Sequence, residues 1–307
     1  MRIFITGGTG FIGPYIVEQL LKDKHDLLLL SYEKEEPSEK FLEVYDSLKL
    51  VSGDLLDISA WKQYLEDFSP ESVIHMAWQG IPNYKARTSV RNLQNSLNFF
   101  LTLAEIGCKQ VLTTGSCWEY GRTEGKLSEE MPPRPHNPFS AAKNALRIMG
   151  EEIAKENGMQ FIWTRFFYVY GPGQKTSSLL PYIINSVLKR EKPTVKTPNS
   201  KNDFIFVEDV AAAVTMIVKN CKRDQAIYNI GSGYSTSVRK LMEIVYEKSK
   251  TSLPNDIFAK KQSTSDIVDF WADISRIKKE IGWKPKVSID QGIAKMLDHY
   301  RLETSKK

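Results

Sequence analysis

The chain opens with Met1-Arg2-Ile3-Phe4-Ile5-Thr6-Gly7-Gly8-Thr9-Gly10-Phe11-Ile12-Gly13, an apolar run that leads directly into a glycine-rich segment. The run predicts a buried strand over Arg2–Thr6, and residues 11–22 carry apolar side chains at helical spacing. The glycines therefore fall in a strand-to-helix turn, where backbone N–H groups can approach a pyrophosphate closely. This order of strand, glycine turn and helix predicts a dinucleotide site.

The rest of the chain predicts the fold class. Short apolar runs alternate with amphipathic helical patterns, which is typical of a parallel sheet covered on both faces. Further strands are predicted at 27–30, Leu48–Ser52, 72–76, 109–114, 160–165, 205–207 and 228–230, and late helices at 238–248 and Ser275–Ile281. We therefore expect a doubly wound α/β Rossmann domain formed by 1–173 and 204–236. A smaller, mostly helical C-terminal lobe is expected from 174–203 and 237–307.

Composition narrows the function classes. The formal net charge of the 307 residues is +5, and both signs are interspersed rather than blocked, so no nucleic-acid partner is expected. The three cysteines have no metal-ligand spacing, and no metal site is predicted. No secretory signal or apolar run of roughly 20 residues is evident, which indicates a cytoplasmic protein without a membrane partner.

Two further motifs lie in the middle of the chain. Ser116 stands in Thr114-Gly115-Ser116-Cys117-Trp118-Glu119-Tyr120-Gly121, and Lys143 ends Pro138-Phe139-Ser140-Ala141-Ala142-Lys143. With the glycine turn, they make the chain resemble the extended short-chain dehydrogenase/reductase superfamily, and in it the NAD-dependent epimerase/dehydratase family that acts on nucleotide sugars. That superfamily transfers protons with Ser or Thr and a Tyr-x-x-x-Lys unit. Here Phe139 occupies the tyrosine position.

The resemblance implies roles for the catalytic positions. Lys143 would hold the nicotinamide ribose and Ser116 would hydrogen-bond a sugar carbonyl, whereas Phe139 has no proton to exchange. Another group could supply the proton, and the candidates are Tyr84, His136, Cys117, Glu119 or a water molecule. Two other interpretations remain: an engineered tyrosine-to-phenylalanine substitution, or a protein that binds cofactor and ligand without turnover.

The cofactor contacts that we predict are Gly7, Gly10, Phe11, Ile12, Gly13, Ser31, Lys34, Asp54, Leu55, Ala77 and Lys143. An acidic residue near the end of the second strand usually binds the ribose of NAD, and Ser31 takes that place here. Because Lys34 could meet a 2′-phosphate, NADP is favoured, and NAD remains the alternative. By resemblance, Asp54 lies in the adenine-contacting loop, although a helix cap explains it equally well.

The substrate contacts that we predict are Trp78, Tyr84, Cys117, Tyr168 and Asn202. Related 4,6-dehydratases carry an Asp-Glu pair where this chain has Cys117-Trp118, which disfavours dehydration. The resemblance is therefore to enzymes that reduce C4 of an NDP-4-keto-6-deoxyhexose, with an NDP-sugar 4-epimerase as the alternative.

The substrate-binding part of the chain departs from the family pattern. Tyr168 and Asn202 replace an asparagine and an arginine that contact the diphosphate in relatives, and Lys201 would be a point-charge substitute. Asp203 and Asp209 are predicted to cap neighbouring elements. Relatives often dimerise through helices that correspond to 92–106 and 141–155, so a homodimer is expected.

Overall fold

The computed structural model describes residues 1–32, 46–254, 256–258 and 268–305. Its strands are β1 (Arg2–Thr6), β2 (Asp26–Ser31), β3 (Leu48–Ser52), β4 (Ser72–His75), β5 (Gln110–Ser116), β6 (Gly125–Leu127), β7 (Gln160–Phe166), β8 (Tyr168–Tyr170), β9 (Lys201–Asn202), β10 (Phe204–Phe206), β11 (Gln225–Ile230), β12 (Thr236–Ser237) and β13 (Phe270–Ala272). Its helices are α1 (Gly13–Lys22), α2 (Lys62–Phe68), α3 (Ala86–Glu105), α4 (Pro138–Glu156), α5 (Leu179–Leu188), α6 (Val207–Asn220), α7 (Val238–Ser249), α8 (Ser275–Ile281) and α9 (Ile289–Ser305).

A seven-stranded parallel sheet forms the centre of the molecule, in the order β11-β7-β5-β4-β1-β2-β3. The chain winds from β1 towards β3 on one side and from β4 towards β11 on the other. The predicted doubly wound α/β fold is therefore confirmed. The winding reverses between β1 and β4, and ligands of such sheets bind beyond the carboxyl ends of the strands at that point.

Alternating side chains of β1 build the two faces of the sheet. Ile3 and Ile5 belong to the apolar cluster beneath α1 and α6, whereas Phe4 packs on the other face beneath α3 and α4. Phe4 stacks on Trp61 at a centroid distance of 5.6 Å and also contacts Phe99. Both faces are therefore dry, as the near-continuous apolar strands predict.

Several predicted boundaries shift in the structure, and two of them have a clear physical reason. The first helix begins at Gly13 rather than at residue 11, because the glycine turn closes on itself through the bond from Gly10 N to Gly7 O. Val207 was predicted as the end of a strand, but it begins α6 directly after the extended residue Phe206. The predicted end of α8 is confirmed, since Gly282 has the left-handed φ of 77° that favours glycine.

The C-terminal part of the chain has its own apolar cluster. Side chains of α5, α7 and α9 surround Tyr170 and Phe206. The carboxylate of Asp209 accepts bonds from the backbone N–H groups of Lys286 and Val287, both at 2.9 Å. Asp203 accepts from the N–H groups of three other backbone positions. Both acids therefore bond to segments distant in the chain rather than capping the elements next to them. Among the described helices, none is long and apolar enough to cross a membrane.

Candidate functional site

The glycine turn after β1 is shaped by close backbone packing. Gly7 has a φ of +74°, and a Cβ atom there would lie 2.8 Å from the backbone nitrogen of Ala77. A Cβ atom on Gly13 would collide with the carbonyl oxygen of Gly8. Gly10 differs, because a Cβ atom there would meet only the Gly7 oxygen, at 3.5 Å. The protein therefore leaves open space at Gly10, as close approach of a ligand requires.

A cavity of about 930 Å³ extends from this turn along the carboxyl edge of the sheet. It brings together most of the residues predicted to contact a cofactor, namely Gly7, Gly10, Phe11, Ile12, Gly13, Asp54, Leu55, Ala77 and Lys143. Ser31 is buried at the end of β2, next to Leu30, which lines the cavity. Lys34 lies outside the described residues.

Asp54 stands at one end of the cavity. Its Oδ1 atom accepts a bond from the backbone N–H of Leu56 at 3.0 Å, which makes a local turn rather than a helix cap. Both carboxylate oxygens also accept from Nε2 of Gln79, at 3.2 and 3.1 Å. Asn92 fixes the backbone of Gln79 through bonds of 2.7 and 3.0 Å. Gln79 therefore links the loop after β4 to the loop after β3 across the cavity edge.

Lys143 lies on α4, one turn after Phe139, and both side chains are buried and line the cavity. The start of this helix is held by Asn137, whose side chain accepts from the Ser140 N–H at 2.9 Å. The ammonium of Lys143 donates to the Thr114 carbonyl at 2.7 Å and stands 4.1 Å from the centre of the Trp78 ring. Burial lowers the pKa of this ammonium to about 7, against an opposing effect of Glu119.

Ser116 is the last residue of β5 and begins a short 3₁₀ turn, Cys117–Tyr120. Its Oγ atom accepts from the Trp118 N–H at 3.2 Å, while its own N–H donates to Glu119 Oε1 at 2.8 Å. This reciprocal capping fixes the serine rotamer at the sheet edge. Its hydroxyl hydrogen can still be donated, since Oγ acts as an acceptor in the cap.

Glu119 is fully buried and committed to structure. Its carboxylate accepts from Trp163 Nε1 and from Nε of Arg165, the latter at 2.9 Å. Burial alone would lower the pKa of the Arg165 guanidinium, but Glu119 raises it. The guanidinium also donates to the Tyr120 hydroxyl at 2.9 Å. Both carboxylate oxygens accept bonds from buried donors and Glu119 is not among the residues that line the cavity, so it is not placed to serve as a proton donor.

Aromatic rings surround Phe139 in what we call the aromatic cluster, which consists of Trp78, Tyr84, Trp118 and Phe139. The Phe139 ring centre lies 5.6 Å from that of Trp78, 5.1 Å from Tyr84 and 6.0 Å from Trp118. Tyr84 and Trp118 are themselves 4.9 Å apart. The sequence singled out the first two neighbours of Phe139 but not Trp118, whose position two residues after Ser116 was the available signal.

The remaining candidates lie around this cluster. Cys117 is buried, and burial raises the pKa of its thiol. The Tyr168 hydroxyl accepts from Nε1 of Trp118 at 3.1 Å. His136 is exposed, with its ring 6.0 Å from that of Trp118.

Asn202 and Lys201, the two positions expected near the diphosphate of the substrate, lie in different surroundings. Asn202 is buried in β9, and its Oδ1 atom has no hydrogen-bond partner among the described residues. Lys201 was expected as a substitute cation, but its ammonium pairs with Asp269 at 2.7 Å. The role expected for Lys201 stays a prediction.

The far wall of the cavity was not predicted. It contains Gln174, Lys175, Ser177 and Ser178, which precede α5. The ammonium of Lys175 donates to the Ile81 carbonyl at 2.7 Å and forms no ion pair within the described residues. No local pattern distinguishes this lysine from the others of the chain, so only its position in the fold reveals it.

Comparison with known proteins gives a family match and several relatives. Residues 3–231 match the family model described as "NAD dependent epimerase/dehydratase family". The dTDP-6-deoxy-L-talose 4-dehydrogenase (NAD(+)) of Aggregatibacter actinomycetemcomitans is 27% identical over 245 residues, which cover 79% of this chain and 88% of that protein. The dTDP-4-dehydro-6-deoxyglucose reductase of Escherichia coli is 25% identical over 98% of both chains. UDP-glucose 4-epimerase of Thermotoga maritima, solved with UDP-glucose, superposes with a TM-score of 0.87 at 22% identity, covering 99% of this chain and 100% of that one.

Proposed function

The chain belongs to the NAD dependent epimerase/dehydratase family, whose enzymes modify nucleotide sugars, and we propose that it reduces the C4 ketone of an NDP-4-keto-6-deoxyhexose. A nicotinamide cofactor would supply the hydride. The residues present fit such a cofactor, because the turn leaves open space at Gly10. At Gly7 and Gly13, by contrast, a side chain would collide with the protein's own backbone. In this proposal the Rossmann part, 1–173 with 204–236, holds the cofactor and the remaining lobe holds the nucleotide sugar.

Each part of the cofactor has a proposed contact. The pyrophosphate would meet the N–H groups of the glycine turn and of α1, and the adenine would lie towards Asp54 and Leu55. Lys143 would hold the nicotinamide ribose, and Ser116 would donate its hydroxyl hydrogen to the ketone oxygen. NADP is favoured over NAD, because the Ser31 hydroxyl does not repel a 2′-phosphate as a carboxylate would.

The observation that carries reduction is the aromatic cluster around Phe139. Oxidation of a C4 hydroxyl, with which a 4-epimerase begins, needs a base beside that hydroxyl, and phenylalanine cannot be one. Reduction needs only a proton donor. The same rings favour a sugar with a methyl group at C6, because a C6 carboxylate would lose its hydration against the apolar faces of Trp78 and Trp118.

The test is turnover with a defined ketone. We expect the protein to oxidise NADPH in the presence of dTDP- or UDP-4-keto-6-deoxyglucose and to yield the corresponding C4 alcohol, with weaker use of NADH. Ser116→Ala should lower kcat about a hundredfold, as loss of one donor to a developing oxyanion does. Ser59→Ala, at an exposed position bonded to Asp57, is the control and should keep full activity. Undiminished turnover by Ser116→Ala would refute the assigned role.

A 4-epimerase is the second candidate, and the Gln79 link favours it. The amide of Gln79 closes the cavity edge at Asp54, and an epimerase must retain one cofactor through oxidation and re-reduction. Stoichiometric NAD released on denaturing the purified protein, with interconversion of C4 epimers in the absence of added cofactor, would put this function in place of reduction.

We also propose that the enzyme is a homodimer. The apolar side chains of Val90 and Leu101 on α3 are exposed, and they lie about three turns apart on one face. Ile148 and Met149 are exposed on α4, which packs beside α3. Pairing of the two helices with those of a second copy would cover this surface. Sedimentation equilibrium should then give the mass of two chains.

A further inference from the structure

The aromatic cluster contains a single phenol. Trp78, Trp118 and Phe139 carry no hydroxyl. The indole N–H of Trp118 donates its hydrogen bond to the Tyr168 hydroxyl. The hydroxyl of Tyr84 makes no hydrogen bond within the described residues, although its ring lines the cavity and packs on Phe139 and Trp118. A half-buried phenol without a partner in a ligand cavity is available to a ligand.

Tyr84 reaches this place from a different element than Phe139 does. It lies in the loop after β4, two residues before α3 begins, whereas Phe139 is in the first turn of α4. The two ring centres are nevertheless only 5.1 Å apart. The phenol is therefore displaced by about one ring from the position where the family carries its tyrosine.

We propose that Tyr84 is the proton donor of this enzyme, acting on the C4 oxygen of the sugar in place of a tyrosine at position 139. The inference rests on the proposed ketoreduction. As hydride reaches C4, the carbonyl π bond breaks and its electron pair moves to the oxygen. The O–H bond of Tyr84 then breaks, its proton forms the new hydroxyl, and the phenolate recovers a proton from solvent. The dihydronicotinamide is oxidised and the ketone is reduced, so electrons and protons balance.

The other candidates are less suited to this step. Glu119 is paired with Arg165 and does not line the cavity, and His136 is exposed, with its ring 6.0 Å from that of Trp118. The thiol of Cys117 is buried. Lys143 is directed at the Thr114 carbonyl and the Trp78 ring. Burial raises the pKa of Tyr84, so its phenol retains the proton near neutral pH and is a donor rather than a base.

The experiment compares Tyr84→Phe with the native enzyme. We expect kcat for ketone reduction to fall at least a hundredfold, which is the usual contribution of a general acid, while the Kd of NADPH stays unchanged. Tyr64→Phe, at an exposed tyrosine of α2, is the matched control and should behave as native. The double variant Tyr84→Phe/Phe139→Tyr should have a kcat at least ten times that of Tyr84→Phe. A merely structural role of Tyr84 would not allow this recovery.

A binding measurement gives a second readout that needs no turnover. The native protein should bind an NDP-6-deoxyhexose with a C4 hydroxyl about fivefold more tightly than its 4-deoxy analogue, because the Tyr84 hydroxyl bonds the C4 oxygen. In Tyr84→Phe this preference should disappear, and binding of the nucleoside diphosphate alone should not change.

The outcomes separate the two proposals. If the native enzyme reduces the ketone and Tyr84→Phe retains kcat within threefold, the role of Tyr84 is overturned and ketoreduction stands. A kcat that then falls as pH rises through about 7 would assign the proton to Lys143 instead. If the native protein reduces no 4-keto sugar nucleotide while still binding NADPH, ketoreduction itself fails, and the assignment of Tyr84 fails with it.

Discussion

At the residue scale, the phenylalanine at position 139 changes the surroundings of Lys143. Without a phenol one turn before it, the ammonium has, among the described residues, the Thr114 carbonyl and the face of Trp78 as its close partners. Neither partner carries a full negative charge. Burial is therefore the largest influence on the pKa of Lys143, and it lowers that pKa. The lysine is thus pre-positioned by a carbonyl and an indole, and the ribose of a cofactor would add the hydroxyl groups that this site lacks.

Gly10 provides the residue-scale prediction. Gly10→Val should raise the Kd of NADPH at least tenfold, because the added side chain enters the space that a pyrophosphate would take. Its thermal unfolding should change little, since a Cβ atom there meets the protein only at 3.5 Å. Fluorescence titration with NADPH and a thermal melt would measure both.

Gly13→Ala is the contrasting variant. Its methyl group would collide with the Gly8 backbone, so we expect a loss of about 1–3 kcal/mol in the free energy of unfolding. Equal effects of the two substitutions on stability would contradict the distinction between a glycine needed by the ligand and one needed by the fold.

At the element scale, His75 joins β4 to its neighbours at the sheet edge. Its Nδ1 atom lies 2.7 Å from Oγ1 of Thr6 at the end of β1, and its Nε2 atom lies 2.9 Å from Oγ of Ser96 on α3. The ring is buried against Phe99 and Phe100. Burial, with a smaller effect of the Lys143 charge, lowers the pKa of His75 to about 3. The imidazole is therefore neutral in the folded protein.

This histidine makes the stability depend on pH. The unfolded chain binds a proton at His75 below its ordinary pKa of 6.5, whereas the folded chain does so only near 3. The free energy of unfolding should therefore fall as pH drops from 6.5 towards 3, by about 2 kcal/mol at pH 5 from this group. Urea unfolding at pH 7 and pH 5 measures the difference.

The matching variants are His75→Gln and His299→Gln. The first should be less stable at pH 7 but should lose less stability on acidification than the native protein. The second removes an exposed histidine of α9 and should keep the native slope. An unchanged slope in His75→Gln would show that other groups cause the acid sensitivity.

At the scale of the whole molecule, the cavity lies where the parallel sheet meets the segment leading into the C-terminal cluster. One wall is the carboxyl edge of the sheet, and the other is the segment 174–178. Lys175 connects them through its bond to the Ile81 carbonyl. We expect a cation at this position, without an acidic partner in the described part of the chain, to suit the diphosphate of a nucleotide sugar.

Lys175→Ala should therefore raise the KM for the nucleotide sugar about tenfold while changing kcat less than twofold, since the lost contact is made equally to substrate and transition state. Steady-state kinetics with varied sugar nucleotide would measure this split. The control is Lys189→Ala, at the exposed end of α5, which should have native kinetics. An unchanged KM in Lys175→Ala would place the diphosphate elsewhere.

Most of the fold was predictable from local patterns. The predicted bounds of β1, β3 and α8 matched the structure to the residue. These elements were predictable because the periodicity of apolar residues is visible over a short stretch of sequence. Several strand ends moved by a few residues, and the larger changes at Gly13 and Val207 depend on how the chain turns between elements. Turn geometry there follows from contacts with other elements, which a local pattern does not contain.

The sequence by itself determined the fold class, the glycine turn and the shared face of Phe139 and Lys143, because each follows from spacing along one strand or helix. Only the tertiary structure decided which groups meet across the cavity. It placed Tyr84 and Trp118 around Phe139, set Lys175 on the far wall, and committed Glu119 and Lys201 to ion pairs. These residues come from segments distant in the chain, and their proximity arises from the order of strands in the sheet and from the packing of the lobe against it.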